Sequence, residues 1–446
     1  MIIFGGRGTN VWPPVLHEAI EHTNVSPEST HPLVEDAERA ERWAGEPFLH
    51  RDEEADIVLA PGTARRRALD EALKEIEAGR DEPSSDWKIR FALMLGLERV
   101  LSEHPAKLRS GTELRRHQVD ALAGMLTELI AANQKSDDVN GNGKALTAEE
   151  LAELEAEDEE EGAEELEGEP TLENDPGAAR RYRFRHPTAS GKTIAAAGFV
   201  EAARTMGVLI LTHRRLLVSQ FNRELTEEGY GDRLEPAVTR GEQPKRADLI
   251  TVQTYAWFAR HVNDLERGVY HLVICDEAHT ALGEKTSTAI RTLTEPVYIG
   301  MTATEQLIAK QVSDVFPASV DDLPLQDAAR RGLIAPLRCL RVPPAAAINS
   351  VPIVGGDFEE AALAEVLDHQ ALNQAAASLY RDRFDSTPGI VYAAGVDHAY
   401  NLAREFRAAG LRAEAVSGRT PPVRLAEILA AYERAEIDIL INAMLL

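Results

Sequence analysis

The sequence predicts an α/β protein: one parallel-sheet unit and the beginning of a second, preceded by a mostly helical region. Three observations carry this expectation. After residue 180, short apolar runs alternate with helical stretches, the pattern of a parallel sheet covered on both faces. A similar set of runs begins near residue 388 and has only started when the sequence stops. Residues 1–105 hold helical patches and no comparable runs.

Within residues 1–105 the helical patches are ARRRALDEALKEIEAG (64–79) and WKIRFALMLGLERVLSEH (87–104), broken by Pro and Gly. The glycine-rich FGGRGTN (4–10) follows no strand-like run and reads as a turn. From 112, TELRRHQVDALAGMLTELIAANQ reads as an amphipathic helix with Val119, Leu122, Met125, Leu126 and Leu129 on one face. Residues 134–178 are polar and acidic, without an aromatic residue. Such a segment buries too little apolar surface to fix a core, so a solvated helix or disordered insert is expected. The strand-like runs are VLILT (208–212), LITV (249–252), HLVICD (271–276) and VYIGM (297–301), then GIVYA (389–393), AEAV (413–416) and DILIN (438–442). The Pro-punctuated PLQDAARRGLIAPLRCLRVPP (324–344) connects the two sets. The expected division is therefore 1–105, 106–335 and 336–446.

No run of about 18 apolar residues is present, so no membrane span or membrane partner is expected. The N-terminus MIIFGGRGTN lacks a basic region followed by an apolar core. The cysteines, Cys275 and Cys339, have no metal-ligand spacing. Together these point to a reducing, cytoplasmic compartment. The net charge is −26, but fifteen acidic and no basic residues fall in 149–175, which leaves −11 for the rest. Any nucleic-acid site must then be a local basic groove.

Two stretches carry chemistry. In RFRHPTASGKTIAAAGF (183–199), Gly191 permits close backbone approach, Lys192 supplies a cation for the β- and γ-phosphates, and Thr193 supplies a hydroxyl for Mg²⁺. The helix-forming IAAAGFVEAAR follows, which puts a helix N-terminus behind the loop. The preceding YRFRH alternates polar and apolar residues, unusual for a buried central strand. In HLVICDEAHTA, Asp276 and Glu277 end an apolar run, 84 residues after Lys192. Carboxylates at a strand's C-terminal end face the crevice where open α/β sheets bind ligands. There Asp276 can hold Mg²⁺ through water and Glu277 can activate an attacking water. Separately, DVNGNGKALTAE matches a calcium-loop pattern at Asp138, Asn140, Asn142 and Glu149. Ala145 stands where Ile, Leu or Val is usual, and a Gly/Asn turn explains the stretch as well.

These pieces together resemble DEAD/DEAH-type helicases of superfamily 2, in the branch of the type III restriction subunits, over about 112–446. LRRHQ (114–118) is similar to the adenine motif, HPTASGKT (186–193) to motif I, LILTHRRLLVSQF (209–221) to motif Ia, DEAH (276–279) to motif II and GMTAT (300–304) to motif III. The resemblance implies tandem RecA-like domains, ATP and Mg²⁺ as cofactors, and hydrolysis coupled to movement on nucleic acid, DNA in preference to RNA. It implies an ATP site of Arg115, Gln118, Pro187, Thr188, Ala189, Ser190, Gly191, Lys192 and Thr193, with Gln118 reading the adenine. Lys192, Asp276 and Glu277 would be catalytic, and Thr193 and Asp276 would hold Mg²⁺. His279, Thr302 and Thr304 would couple nucleotide state to movement, and Thr212, Arg214 and Thr254 would meet the nucleic-acid backbone. For Arg214 and Thr254 a solvated charge and a helix cap are the competing explanations.

Ala189 replaces a commoner glycine, His186 replaces a small residue and crowds the loop, and Arg116-His117 replaces the adenine motif's Pro-Tyr. ILINAMLL resembles the start of motif V, with no motif VI after it. From that, the chain as given is expected to bind ATP better than it hydrolyses it. The alternatives are an ATPase subunit of a restriction, defence or repair complex, with a nuclease or specificity subunit as partner, and an ATP-binding module with little turnover.

Overall fold

The computed structural model describes residues 32–140, 175–303, 309–335, 348–354, 357–384 and 387–443. The glycine-rich start, most of the acidic segment, most of the calcium-loop pattern and Thr304 lie outside these residues. The chain divides into two compact units, 1–336 and 337–446.

The first unit is built on a six-stranded sheet: β1 (Arg181–Arg185), β2 (Val208–Thr212), β3 (Ile250–Thr254), β4 (Leu272–Asp276), β5 (Val297–Thr302) and β6 (Ala318–Asp322), in the order β3-β2-β4-β5-β1-β6. Every pairing is parallel, so all strands point their C-terminal ends to one edge. The apolar runs fill it: every residue of β2, β4 and β5 is buried. One face packs Val208, Ile210, Leu272, Ile274 and Ile299 against the N-terminal helices, and the other packs Leu209, Leu211, Val273, Cys275 and Tyr298.

Strand β1 is polar yet lies between β5 and β6. Its arginines have partners: Arg181 pairs with Asp175, Arg185 is bidentate to Asp322 at 2.6 and 2.7 Å, and Arg183 donates to the Pro317 carbonyl. Strand β6 has no apolar run to announce it. It is an edge strand of Ala, Ser, Val and two Asp, only partly covered, which explains why the sequence pattern passes over it.

The N-terminal region belongs to the same compact unit as the sheet. Its helices include α1 (Pro32–Ala44), α2 (Ala64–Glu77) and α3 (Leu93–Ser102), followed by α4 (Arg116–Asn140). The predicted apolar face of α4 turns inward, with Leu122, Met125 and Leu129 buried and Val119 and Leu126 partly so. Helix α5 (Lys192–Ala202) lies against α3 and α4. The close crossing of α3 requires Gly96, where a Cβ would fall 1.8 Å from the Ala202 carbonyl oxygen. Buried charges fasten the same junction: Arg99 bridges Glu46 at 2.8 Å and Glu201 at 2.9 Å.

In the second unit, β7 (Ile353–Val354) and β8 (Asp357–Phe358) form a small antiparallel pair. Strands β9 (Gly389–Tyr392), β10 (Ala413–Ser417) and β11 (Ile439–Ala443) form a parallel sheet in the order β10-β11-β9. Ala399, Leu402 and Phe406 pack with Ile439 and Ile441, while Val416, Ile428, Ile437 and Leu440 form a separate cluster. The three apolar runs noted in the sequence are these three strands.

Candidate functional site

The C-terminal edge of the first sheet gathers the residues singled out above. The turn after β1 runs His186-Pro187-Thr188-Ala189-Ser190-Gly191 and opens helix α5. Ser190 N–H donates to the Pro187 carbonyl at 3.2 Å. Gly191 is left-handed, φ 88°, and so is Ala189, φ 65°. The glycine usual at 189 is absent, but the backbone geometry it favours is kept, at a cost of about 1 kcal/mol for a residue with a Cβ. Thr188 and Ala189 are exposed, Pro187 and Ser190 are buried, and Lys192 and Thr193 begin the helix half-buried.

Lys192 Nζ lies 3.0 Å from Glu277 Oε1. The ammonium is buried and Glu277 is its ion-pair partner. Glu277 follows directly on β4 and is itself left-handed, φ 47°, a strained conformation of the kind that collects at functional sites. Its Oε2 is 3.5 Å from His279 Nδ1, and the same nitrogen is 3.4 Å from Thr302 Oγ1 at the end of β5. Asp276 is 9% exposed. Burial, then the charge of Glu277, pushes its carboxyl up to about 6, against the opposing pull of Lys192 and a hydrogen bond from Thr212.

Thr212 ends β2 next to Asp276. It is fully buried and its hydroxyl donates to Asp276 Oδ2 at 3.4 Å. Thr254 Oγ1 accepts from Trp257 N–H at 3.2 Å and caps the next helix, Tyr255–His261, which is the helix-cap alternative. Arg214, half-buried, precedes the helix Arg215–Glu227 at the same sheet edge. His213 was not singled out. Its imidazole is held below its ordinary range by burial and by Arg214, against the pull of the nearby Glu277.

His186 does not crowd the loop. Its ring is fully buried beneath it, with Nε2 2.6 Å from Asp321 Oδ2 on β6, and its N–H donates to the Thr302 carbonyl at 3.0 Å. His117, at the first turn of α4, lies edge-on to it and places Nε2 2.8 Å from the Ser190 carbonyl oxygen. Gln118 Nε2 donates to the Gly191 carbonyl at 2.9 Å, and its Oε1 accepts from Arg115 N–H at 2.8 Å. The Arg115 side chain is exposed. Among the described residues no cluster of three His, Cys, Asp or Glu has metal-site geometry, and no helix is long and apolar enough to cross a membrane.

A parallel sheet carrying a lysine-bearing phosphate-type loop and a strand-end acid pair on one edge is a RecA-like nucleotide-binding module. Residues 112–307 match the family described as type III restriction enzyme, res subunit. That segment is similar to the family over less than half of the chain, and the likeness supports a helicase or ATPase type of function in general. A curated relative, a 51.5 kDa protein of a Lactococcus phage (isolate 7-9), is 20% identical over 266 residues, which cover 59% of this chain and 55% of that protein. Solved structures with similar folds include S. cerevisiae Dbp5 bound to RNA and ADP BeF3, at 13% identity and TM-score 0.41 over 59% of this chain and 66% of that one. The helicase MrfA bound to DNA aligns at 16% identity and TM-score 0.39 over 59% of this chain and 40% of that one. The chain thus spans a little over half the length of its curated relative.

Proposed function

We propose that the protein is an ATP-dependent helicase or translocase that tracks nucleic acid, with 106–335 as its ATP-binding domain, 336–446 as part of a second RecA-like domain and 1–105 as an accessory region. The observation that carries this reading is the meeting of Lys192, Asp276 and Glu277 at one sheet edge, with a buried ammonium 3.0 Å from the Glu277 carboxylate. Such a cation suits phosphate oxygens. A buried carboxylate at the end of β4, Asp276, and a hydroxyl at the start of α5, Thr193, suit a hard divalent cation with oxygen ligands.

In this reading Ser190, Gly191 and Lys192 hold the phosphates, and Thr193 and Asp276 hold Mg²⁺. Held there, Mg²⁺ would supply positive charge against the charge developing on the phosphate. Glu277 takes the proton of a water whose oxygen bonds to the γ-phosphorus as the bond to the β–γ bridging oxygen breaks. Nucleotide must first replace Glu277 as the partner of Lys192, which frees that carboxylate for the water. His279 and Thr302, linked through one nitrogen, relay the state of Glu277 toward β5. Arg214 and the Thr254 turn face the track. DNA is the expected track, since the matched family is one of restriction enzymes, and a nuclease or specificity subunit is the expected partner. The test is ATP hydrolysis with and without DNA and RNA. Stimulation by nucleic acid and its loss in Lys192→Ala are expected; turnover unchanged in that variant would overturn the reading.

A further inference from the structure

We propose that His117 and Gln118 are positioning residues of the phosphate loop and do not read the base, so that the site takes nucleoside triphosphates with little discrimination among adenine, guanine, cytosine and uracil. This rests on the reading of 186–193 as a triphosphate site.

A residue that selects adenine must present a free donor and acceptor to the space where the base lies. Gln118 offers that space little of either, because its second N–H and second lone pair are buried with the rest of the side chain. Its side chain is 2% exposed, its Nε2 is given to the Gly191 carbonyl and its Oε1 to Arg115 N–H. It is packed so tightly under the loop that a Cβ on Gly191 would meet Nε2 at 2.8 Å. His117 is 1% exposed, and its Nε2 faces the Ser190 carbonyl. It is stacked edge-on between the loop and His186, whose own Nε2 is held by Asp321. Arg116, the other departure from the adenine motif, points to solvent.

The two carbonyls held this way belong to consecutive residues, Ser190 and Gly191. A phosphate loop works by turning its N–H groups inward. Fixing the carbonyls from behind fixes the peptide planes, and so the N–H directions, before any nucleotide arrives. The left-handed Ala189 makes the support more necessary, because a Cβ resists the conformation that glycine adopts freely. The helix α4 contributes both clamps from adjacent positions, 117 and 118, on its first turn.

The experiment is equilibrium binding of ATP, GTP, CTP and UTP, each with Mg²⁺, to the whole protein and to variants. For the wild type the four affinities are expected within about fivefold of one another. His117→Phe keeps the ring and removes the donor; it should weaken all four in parallel, by roughly tenfold, as expected for one hydrogen bond that orders a binding loop. His117→Gln, whose Nε2 can stand where the ring's Nε2 does, restores a donor toward the Ser190 carbonyl and should recover most of the loss. A merely structural histidine would not give that rescue at equal thermal stability. Preference for ATP by fiftyfold or more in the wild type overturns the proposal, and so does selective loss of ATP in Gln118→Ala. The wild-type panel decides the question even if a variant fails to fold. Failure of all four nucleotides to bind the wild type would instead overturn the triphosphate reading itself.

Discussion

Replacing Asp276 with Asn should stabilise the first unit at neutral pH while removing Mg²⁺-dependent turnover. The carboxyl sits at the end of β4, buried, and next to Glu277. Its affinity for a proton rises from an ordinary 3.8 to about 6 on folding. A group whose folded value is raised binds more protons in the folded chain than in the unfolded one between those two values. Stability therefore falls as pH rises through that window and stays reduced above it. The cost grows from under about 1 kcal/mol at pH 4 to roughly 3 kcal/mol above pH 7. Asn keeps the shape and a hydrogen-bond acceptor for Thr212 but has no charge to desolvate. The variant should thus exceed the wild type by about 1–3 kcal/mol at pH 8, with the gap closing toward pH 4. Urea unfolding followed by tryptophan fluorescence reads the right unit, because all four tryptophans precede residue 337. A gap independent of pH, or an Asn variant less stable at pH 8, would refute the reasoning.

Gly96→Ala should destabilise the first unit by about 2 kcal/mol or more in the same unfolding assay, since its Cβ meets backbone of the loop-bearing helix and not a side chain that can swing away. Arg99→Ala leaves the fully buried Glu46 without one of its cations, and a loss of about 3 kcal/mol is expected, measured by urea midpoint. Binding to DNA, followed by fluorescence anisotropy, should weaken steeply with added salt; an affinity unchanged between 50 and about 200 mM would argue against a phosphate-tracking groove.

The strands that sequence pattern identifies well are those buried on both faces, where composition alone separates VLILT or HLVICD from their surroundings. The strands it handles badly, β1 and β6, are adjacent to each other and rest on pairs between polar groups: Arg185 with Asp322, His186 with Asp321. Neither member of such a pair looks like core until its partner is known. The site divides in the same way. The meeting of Lys192, Asp276 and Glu277 at one sheet edge is legible because each stands beside a strand or helix end that the sequence pattern marks. The contact of Thr212 with Asp276 is not legible from motif position, because the two are 64 residues apart. His213, close enough to Glu277 to feel its charge, would have been legible only as a histidine beside a strand end at the same sheet edge.

The departures at 117, 186 and 189 look independent along the chain, but they are spatially one substitution. Ala189 keeps a left-handed backbone without glycine's freedom, and the turn it belongs to is held at Ser190 by His117 and at its base by His186. His186 fills the space under the loop and anchors on Asp321, and its edge supports His117 in turn. Each residue taken alone weakens the loop by the standard of a glycine-rich sequence. Taken together they exchange conformational freedom for side-chain contacts, so the loop can be pre-formed where a glycine-rich one would be ordered by its ligand. A loop built this way should lose little entropy on binding triphosphate, and its affinity should depend on residues behind it as much as on Lys192 in front.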